Sequence, residues 1–307
     1  MTKDNLLQHI DTLEVLANGS RLKRLLNNPF KYIYAIFLKN GLYPVFHKEV
    51  MVRCKLFTGQ DMQVLLPAST DIYLTKGKSH ASEIRLARFL VHNLRPGNTF
   101  WDIGAHYGYF SLLAHELTGD RGHIVAVEAA PVTFNILHKN CNQKANITIL
   151  NKAVSDQPGK ATFYELPNLY SEYNSVDVSQ FEQEEWFKKI KAKKVVLDAV
   201  TLDALAREHS KHSPDIIKID VEGAEAAVIR GALQLLSDPL HHTTLVMEFL
   251  APERNNRSHN EAVQQLKQLG YKTYSINQDG SLSLVADVEQ YLVNRQLDSD
   301  NIVLKRS

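Results

Sequence analysis

From residue 98 onward, short apolar runs alternate with longer stretches whose apolar residues recur at helical spacing. The runs are "NTFWDIG", "GHIVAVEA", "ITILNKAV", "DIIKID" and "TLVMEF", and each ends near polar or acidic residues. A run that is apolar on successive residues is buried on both faces, so the alternation predicts an α/β fold, a mainly parallel sheet with helices on both sides. Just before it, "SHASEIRLARFLVHNL" places Ile84, Leu86, Leu90 and Leu94 on a helical stripe behind capping-type residues. The first 45 residues read as helices broken near "NNP", and "EVMVRCKLF" with "DMQVLLP" reads as a small hairpin or edge sheet.

Within those first helices, "YIYAIFL" at 32–38, framed by Lys31 and Lys39, is too short for a membrane span. It reads as a core helix, with a membrane or partner contact as the alternative. Late in the chain, "SHNEAVQQLKQLG" offers a Ser258 to Glu261 capping box and a terminal Gly270. The "NQDG" between "YKTYSI" and "SLSLVA" predicts an antiparallel pair at the sheet edge. Residues 166–194 exceed an ordinary connection and read as a lid or substrate loop. The chain thus divides into an extension, 1–77, and a main domain, 78–307, carrying the 166–194 insertion. The extension either completes the acceptor pocket or forms an oligomer surface; no feature specifies an oligomeric state.

Composition narrows the partners. With 35 basic and 34 acidic residues among 307, the chain offers no general electrostatic attraction for nucleic acid. The opening "MTKDNLLQHIDTLEV" has no apolar signal core and Cys54 and Cys141 are the only cysteines, so a reduced, cytoplasmic protein is expected. His241 and His242 are adjacent, and His209 and His212 sit near a helix end; neither pair has three-ligand spacing, so no metal is demanded. Magnesium drawn into an acidic cleft is the alternative.

Ligands of parallel sheets gather beyond the carboxyl ends of the strands, where this chain has Asp102, Glu128, Asp220 and Glu248. In "DIGAHYG", Gly104 and Gly108 permit a tight turn, but the spacing misses GxGxxG and Asp102 would repel a pyrophosphate. Glu128 suits ribose hydroxyls, which NAD and a sulfonium nucleoside both carry; Asp102 favours the sulfonium. "KAVSDQPG" offers backbone at Ala153 and Val154 and polar groups at Ser155 and Asp156 beside an adenine, or else an ordinary turn. "IIKIDVEGAEAAVIRGALQLL" sets Lys218, Asp220, Glu222 and Glu225 around a strand-to-helix bend at Gly223. Glu222 shares a helical face with Glu225 or points into the cleft from the loop. Glu248 lines the acceptor side or pairs with Lys218. Tyr170, Tyr173, Asn174 and Ser175 either cover an acceptor or lie in an exposed loop.

Together, "FWDIGAHYGYFSLLA", "VAVEAAPVTFNILHKN", "NKAVSDQPGKATFYE", "VTLDAL", "DIIKIDVEGAEAAVIRGA" and "TLVMEF" resemble the FkbM-type S-adenosylmethionine-dependent methyltransferases over residues 78–286. The resemblance implies a class I, Rossmann-like fold with a mainly parallel seven-stranded sheet, and methyl transfer to a hydroxyl of a carbohydrate or other small molecule. It assigns Asp102, Gly104 and Gly108 to the methionine side of the cofactor, Glu128 to the ribose, and Asp220 and Glu222 to the methyl-transfer cleft. His106 departs from the pattern, which has glycine or asparagine there; its imidazole is a hydrogen-bond donor to cofactor or acceptor. Asp220, Glu222 and His106 are the candidate proton acceptors. A NAD-dependent oxidoreductase and a non-catalytic sugar- or protein-binding module on the same fold are the alternatives.

Overall fold

The computed structural model describes residues 1–306 except 177, 179, 180, 183, 211, 240 and 241. In chain order the strands are β1 (Val50–Lys55), β2 (Asp61–Leu66), β3 (Thr99–Ile103), β4 (His123–Val127), β5 (Ile147–Leu150), β6 (Ala153–Val154), β7 (Gly159–Glu165), β8 (Lys193–Val200), β9 (Ile216–Ile219), β10 (Thr244–Leu250), β11 (Tyr271–Ile276), β12 (Leu282–Leu284) and β13 (Ser299–Arg306). The main sheet has the order β12-β11-β13-β10-β9-β3-β4-β5. It contains eight strands, where seven were expected. The runs read from the sequence account for seven of them and the one not read is β13; β12 pairs antiparallel to β11, as expected, across the turn closed by Asn277 N–H donating to the Ser281 carbonyl at 2.8 Å.

The run from β5 through β4, β3 and β9 to β10 is parallel, and β13 inserts antiparallel between β10 and β11. Side chains alternate across the sheet. Phe100, Ile124 and Ala126 enter the core on one face, and Trp101, Ile103, Val125 and Val127 the core on the other. The first core also takes the Ile84, Leu86, Leu90 and Leu94 stripe, together with Leu6, Ile10, Leu13, Met62 and Val64 from the extension. Extension and sheet therefore share one apolar interior. Buried Arg88 reinforces the contact, donating to Asp11 and Glu14 at 2.7 Å each and to the Gln278 carbonyl at 3.0 Å.

The chain departs from the sequence reading in three further local places. "ITILNKAV" is two strands: the chain leaves the main sheet after Leu150, and β6 joins β8 and β7 in a small sheet of order β6-β8-β7. Ser258 does not begin a capping box. Its helix, Arg257–Gln268, starts one residue earlier, and its hydroxyl accepts from Ala226 N–H at 3.2 Å, tying two helices together. Finally, "YIYAIFL" is not a core helix. In the helix Pro29–Phe37 and the turn that follows, Ala35 and Leu38 are buried, while Ile33, Tyr34 and Phe37 face outward. This helix has only one side to bury, the side that packs on the helix Thr70–Thr75.

Candidate functional site

At the carboxyl end of the parallel strands lies one cavity of about 380 Å³, within the range of about 300–1,000 Å³ typical of ligand sites. Two loops crossing at its floor form it. Gly104, at φ +78°, follows β3 so closely against the loop after β9 that a Cβ there would stand 1.8 Å from the Asp220 carbonyl oxygen. Its own N–H and that of Ala105 donate to the Val127 carbonyl, locking this loop to the end of β4.

His106 takes a left-handed conformation at φ +50°, a region that histidine visits more readily than most side chains. Its backbone N–H donates to Glu128 Oε2 at 2.8 Å, and its Nε2 shares a hydrogen bond with Ser171 Oγ at 2.9 Å. The ring stacks on Tyr107 with centroids 3.8 Å apart. Burial lowers its pKa to about 4, so the imidazole is neutral at physiological pH.

Glu128 lines the cavity. Ala130 N–H donates to its Oε1 at 2.9 Å while His106 occupies Oε2, yet burial outweighs both bonds and raises the carboxyl to about 7. Each oxygen keeps a lone pair for a ligand hydroxyl. Ile103, Val127, Ala153, Val154 and Phe163 make the neighbouring wall apolar.

Across the cavity, Asp220, Glu222 and Glu248 arrive from two different strand ends with one oxygen of each within 4.8 Å of the others. Glu222 precedes the helix Glu225–Arg230 at φ +54° and belongs to the cleft, whereas Glu225 is buried against His259 at 3.3 Å. Burial, then the Glu248 and Asp220 charges, hold the Glu222 carboxyl well above the usual range. Burial and Asp220 raise Glu248 to about 8. Three carboxylates at this spacing hold at least one proton between them at neutral pH.

Asp102 is buried beneath this floor and does not itself line the cavity. Ser111 Oγ donates to its Oδ2 at 2.6 Å. Lys218 Nζ stands 3.6 Å from its Oδ1 and 3.0 Å from Asp220 Oδ2. Burial alone would depress the Lys218 pKa, but the Asp220 and Asp102 carboxylates raise it, so this buried ammonium stays charged and passes the influence of Asp102 to the cavity. Glu248 does not form the Lys218 ion pair that one sequence reading proposed; Asp102 and Asp220 do.

Gly108, Ser155, Asp156 and Tyr170 do not line the cavity either. A Cβ at Gly108 would meet Leu137 at 2.7 Å and Cys141 at 3.0 Å, so this glycine serves helix packing. Ser155 N–H is held by the Val200 carbonyl of β8, and Asp156 reaches outward to Arg230 at 3.1 Å. Tyr170 stacks on Trp186 at 4.8 Å within an aromatic cluster. The insertion nevertheless closes the cavity through Ser171, Glu172, Tyr173 and Asn174, and Ser175 Oγ donates to the Glu222 carbonyl at 2.5 Å.

The sequence reading missed Lys78, which lies on the cavity wall between Glu83 at 2.5 Å and Glu172 at 3.2 Å. Glu172 comes from the insertion, so no local spacing could have joined it to Lys78. Among the described residues, the Asp220, Glu222 and Glu248 cluster is the one group of metal-ligating side chains close enough to share an ion. His209 and His212 instead gather on His123, with which His212 stacks at 4.5 Å. His241 lies outside the described residues.

Residues 102–273 match the model of the methyltransferase FkbM domain. The chain belongs to the FkbM methyltransferase family. That membership makes it an enzyme of methyl transfer and removes the nicotinamide oxidoreductase from consideration.

No curated protein matches this FkbM methyltransferase in sequence. Among solved structures, methyltransferase FkbM from Methylobacillus flagellatus KT is 13% identical, with a TM-score of 0.41 over 78% of this chain and 52% of that one. Precorrin-6y C5,15-methyltransferase from Geobacter metallireducens GS-15 is 15% identical, with a TM-score of 0.39 over 73% of this chain and 88% of that one. Aeropyrum pernix fibrillarin, solved with S-adenosyl-L-methionine, is 15% identical, with a TM-score of 0.38 over 73% and 74%. None of these likenesses bears on the acceptor.

Proposed function

We propose that this FkbM methyltransferase transfers the methyl group of S-adenosylmethionine to a hydroxyl of a small molecule or carbohydrate. The observation that carries this reading is the division of one cavity between an apolar wall ending at Glu128 and a cluster of Asp220, Glu222 and Glu248. An apolar wall beside a carboxylate with spare lone pairs suits an adenine joined to a ribose diol, and the carboxylate cluster suits a cationic centre. The residues present therefore fit the cofactor. Glu128 would hold the ribose, Ala153 and Val154 would border the adenine, and Asp220 would lie toward the methionine, with Asp102 supporting it through Lys218.

When bound, S-adenosylmethionine supplies an activated methyl group on a sulfonium. The chain's own task is to align an acceptor oxygen, exclude water and receive the hydroxyl proton. Proton acceptance is most effective near the working pH, which favours the raised Glu222 and Glu248 carboxylates over His106 at about 4. Neutral His106 positions the insertion through Ser171 instead. Clustered carboxylates repel an anionic acceptor and accept hydrogen bonds from a polyol or sugar, and Tyr173 and Asn174 extend this surface.

The reading assigns no metal, because Lys218 offsets Asp220 and a proton retained by the glutamates lowers the cluster's charge, leaving a net negative charge for the sulfonium to meet. Turnover is expected to survive exhaustive chelation, and its loss with recovery on adding magnesium would assign the carboxylate cluster to an ion. Burial pushes the Cys54 thiol up to about 11 and Cys141 to about 12, which makes both unreactive. The function is tested by incubating the protein with S-adenosylmethionine and a panel of polyols, sugars and phenols. Methyl ether formation supports it. Cofactor binding with no methyl transfer to any of them would count against a hydroxyl acceptor of this class.

A further inference from the structure

The helix Pro29–Phe37 carries Phe30, Ile33, Tyr34 and Phe37 at i, i+3, i+4 and i+7, the spacing of a core-facing stripe, yet all four are exposed. Phe30 is 85% exposed. The flanking elements also expose large apolar side chains. The preceding helix Arg21–Asn27 exposes Leu22 and Leu26, the latter by 74%, and the turn Tyr43–Phe46 exposes Val45 and Phe46. Large apolar side chains gathered in this way mark a binding surface.

The charge of the same segment indicates what covers it. Between Val15 and Lys48 the basic residues are Arg21, Lys23, Arg24, Lys31, Lys39 and Lys48, and none of the chain's 34 acidic residues falls there. Arg21, Lys23, Lys39 and Lys48 are exposed. A second copy of the chain meeting this face across a two-fold axis would set like charges together. An anionic bilayer meets both features at once: the apolar side chains enter the headgroup boundary and the basic ones remain at the phosphates.

We propose that residues 21–48 dock this methyltransferase on the surface of an anionic lipid membrane. The segment lies on the surface and does not cross it, and among the described residues no helix is long and apolar enough to span a bilayer. The segment is tied to the cavity wall through one hydrogen bond. Glu49, just beyond it, accepts a hydrogen bond from Asn168, at the start of the turn that brings Ser171 and Glu172 onto the cavity wall.

The test is co-sedimentation of the full chain with vesicles of equal parts phosphatidylcholine and phosphatidylglycerol, and with phosphatidylcholine alone. The mixed vesicles are expected to retain the protein, and pure phosphatidylcholine to retain far less. Replacing Lys23 and Lys39 by Gln should lower partition about thirtyfold, given about 1 kcal/mol per basic residue at such a surface. Phe30→Ser, Ile33→Ser and Phe37→Ser combined should lower it at least about tenfold. These side chains are exposed, so the thermal midpoint should stay that of the wild type. Failure of the wild type to bind mixed vesicles, or full binding by the triple-serine variant, would overturn the proposal. A dimer that the serine variant dissociates, without vesicle binding, would assign the face to a second copy.

Discussion

Replacing Lys218 by Gln removes the one ammonium that stands between Asp102 at 3.6 Å and Asp220 at 3.0 Å. Lys218 and Asp102 are both almost wholly buried, so solvent cannot take over its role. Breaking a buried ion pair from one side typically costs about 3–5 kcal/mol, because a charge remains without its partner. The Ser111 hydroxyl continues to donate to Asp102 and Asp220 is partly exposed, so the lower end, about 3 kcal/mol, is expected. The loss should depend on pH in a defined direction. Burial already raises the Asp102 carboxyl in the native protein, and without Lys218 it rises further. A carboxyl whose folded pKa exceeds its unfolded value destabilises the native state once ionised and ceases to do so when protonated. The deficit should therefore be full at pH values above the variant's folded pKa and shrink as pH falls toward the wild type's own raised value, the unfolded value near 4 being common to both. Urea unfolding of wild type and Lys218→Gln across this range measures it. A deficit below about 1 kcal/mol, unchanged with pH, would refute the placement of Lys218 as the link between Asp102 and the cavity.

Glu248→Gln should lower turnover by about 10²–10⁴-fold with little change in cofactor affinity if Glu248 is the proton acceptor. Wild-type turnover should rise with pH through about 8, because the base acts only when deprotonated; single-turnover rates against pH check both points. Glu128→Gln should weaken S-adenosylmethionine binding by about 1.5–3 kcal/mol. Wild-type affinity should fall as pH drops through about 7 and the carboxyl protonates, which calorimetric titration at several pH values would show. Gly104→Ala should displace the loop after β3, since the new Cβ would lie 1.8 Å from the Asp220 carbonyl oxygen; a crystal structure and a lowered thermal midpoint would show it.

The parallel strands β3, β4, β9 and β10, both hairpins and the strand-end carboxylates were legible because each is written in local spacing, whereas β7, β8 and β13 were not read as strands. Glu128 and Asp220 lie on the cavity because a strand that reads as apolar ends there. Other features depend on contacts across the chain. The screening of Asp102 by Lys218, the Lys78 contact with Glu172, and the support of His106 by Ser171 join residues from separate elements, and no periodicity reports them. The helix Pro29–Phe37 shows a further limit: its spacing marks an apolar face without saying whether protein or solvent lies beyond it. In "ITILNKAV" an unbroken apolar run concealed a change of sheet, since both β5 and β6 need buried residues. His106 resolves differently. A left-handed position that glycine usually fills is held here by a backbone hydrogen bond to Glu128 and a ring stacked on Tyr107.

The most direct test is single-turnover reaction with S-adenosylmethionine carrying an isotopically labelled methyl group, against a panel of polyols, sugars and phenols, with the label located by mass spectrometry. The account predicts label on an acceptor oxygen, strongly reduced in Glu248→Gln. Label on nitrogen or carbon, or label left wholly on the bound cofactor, would contradict it.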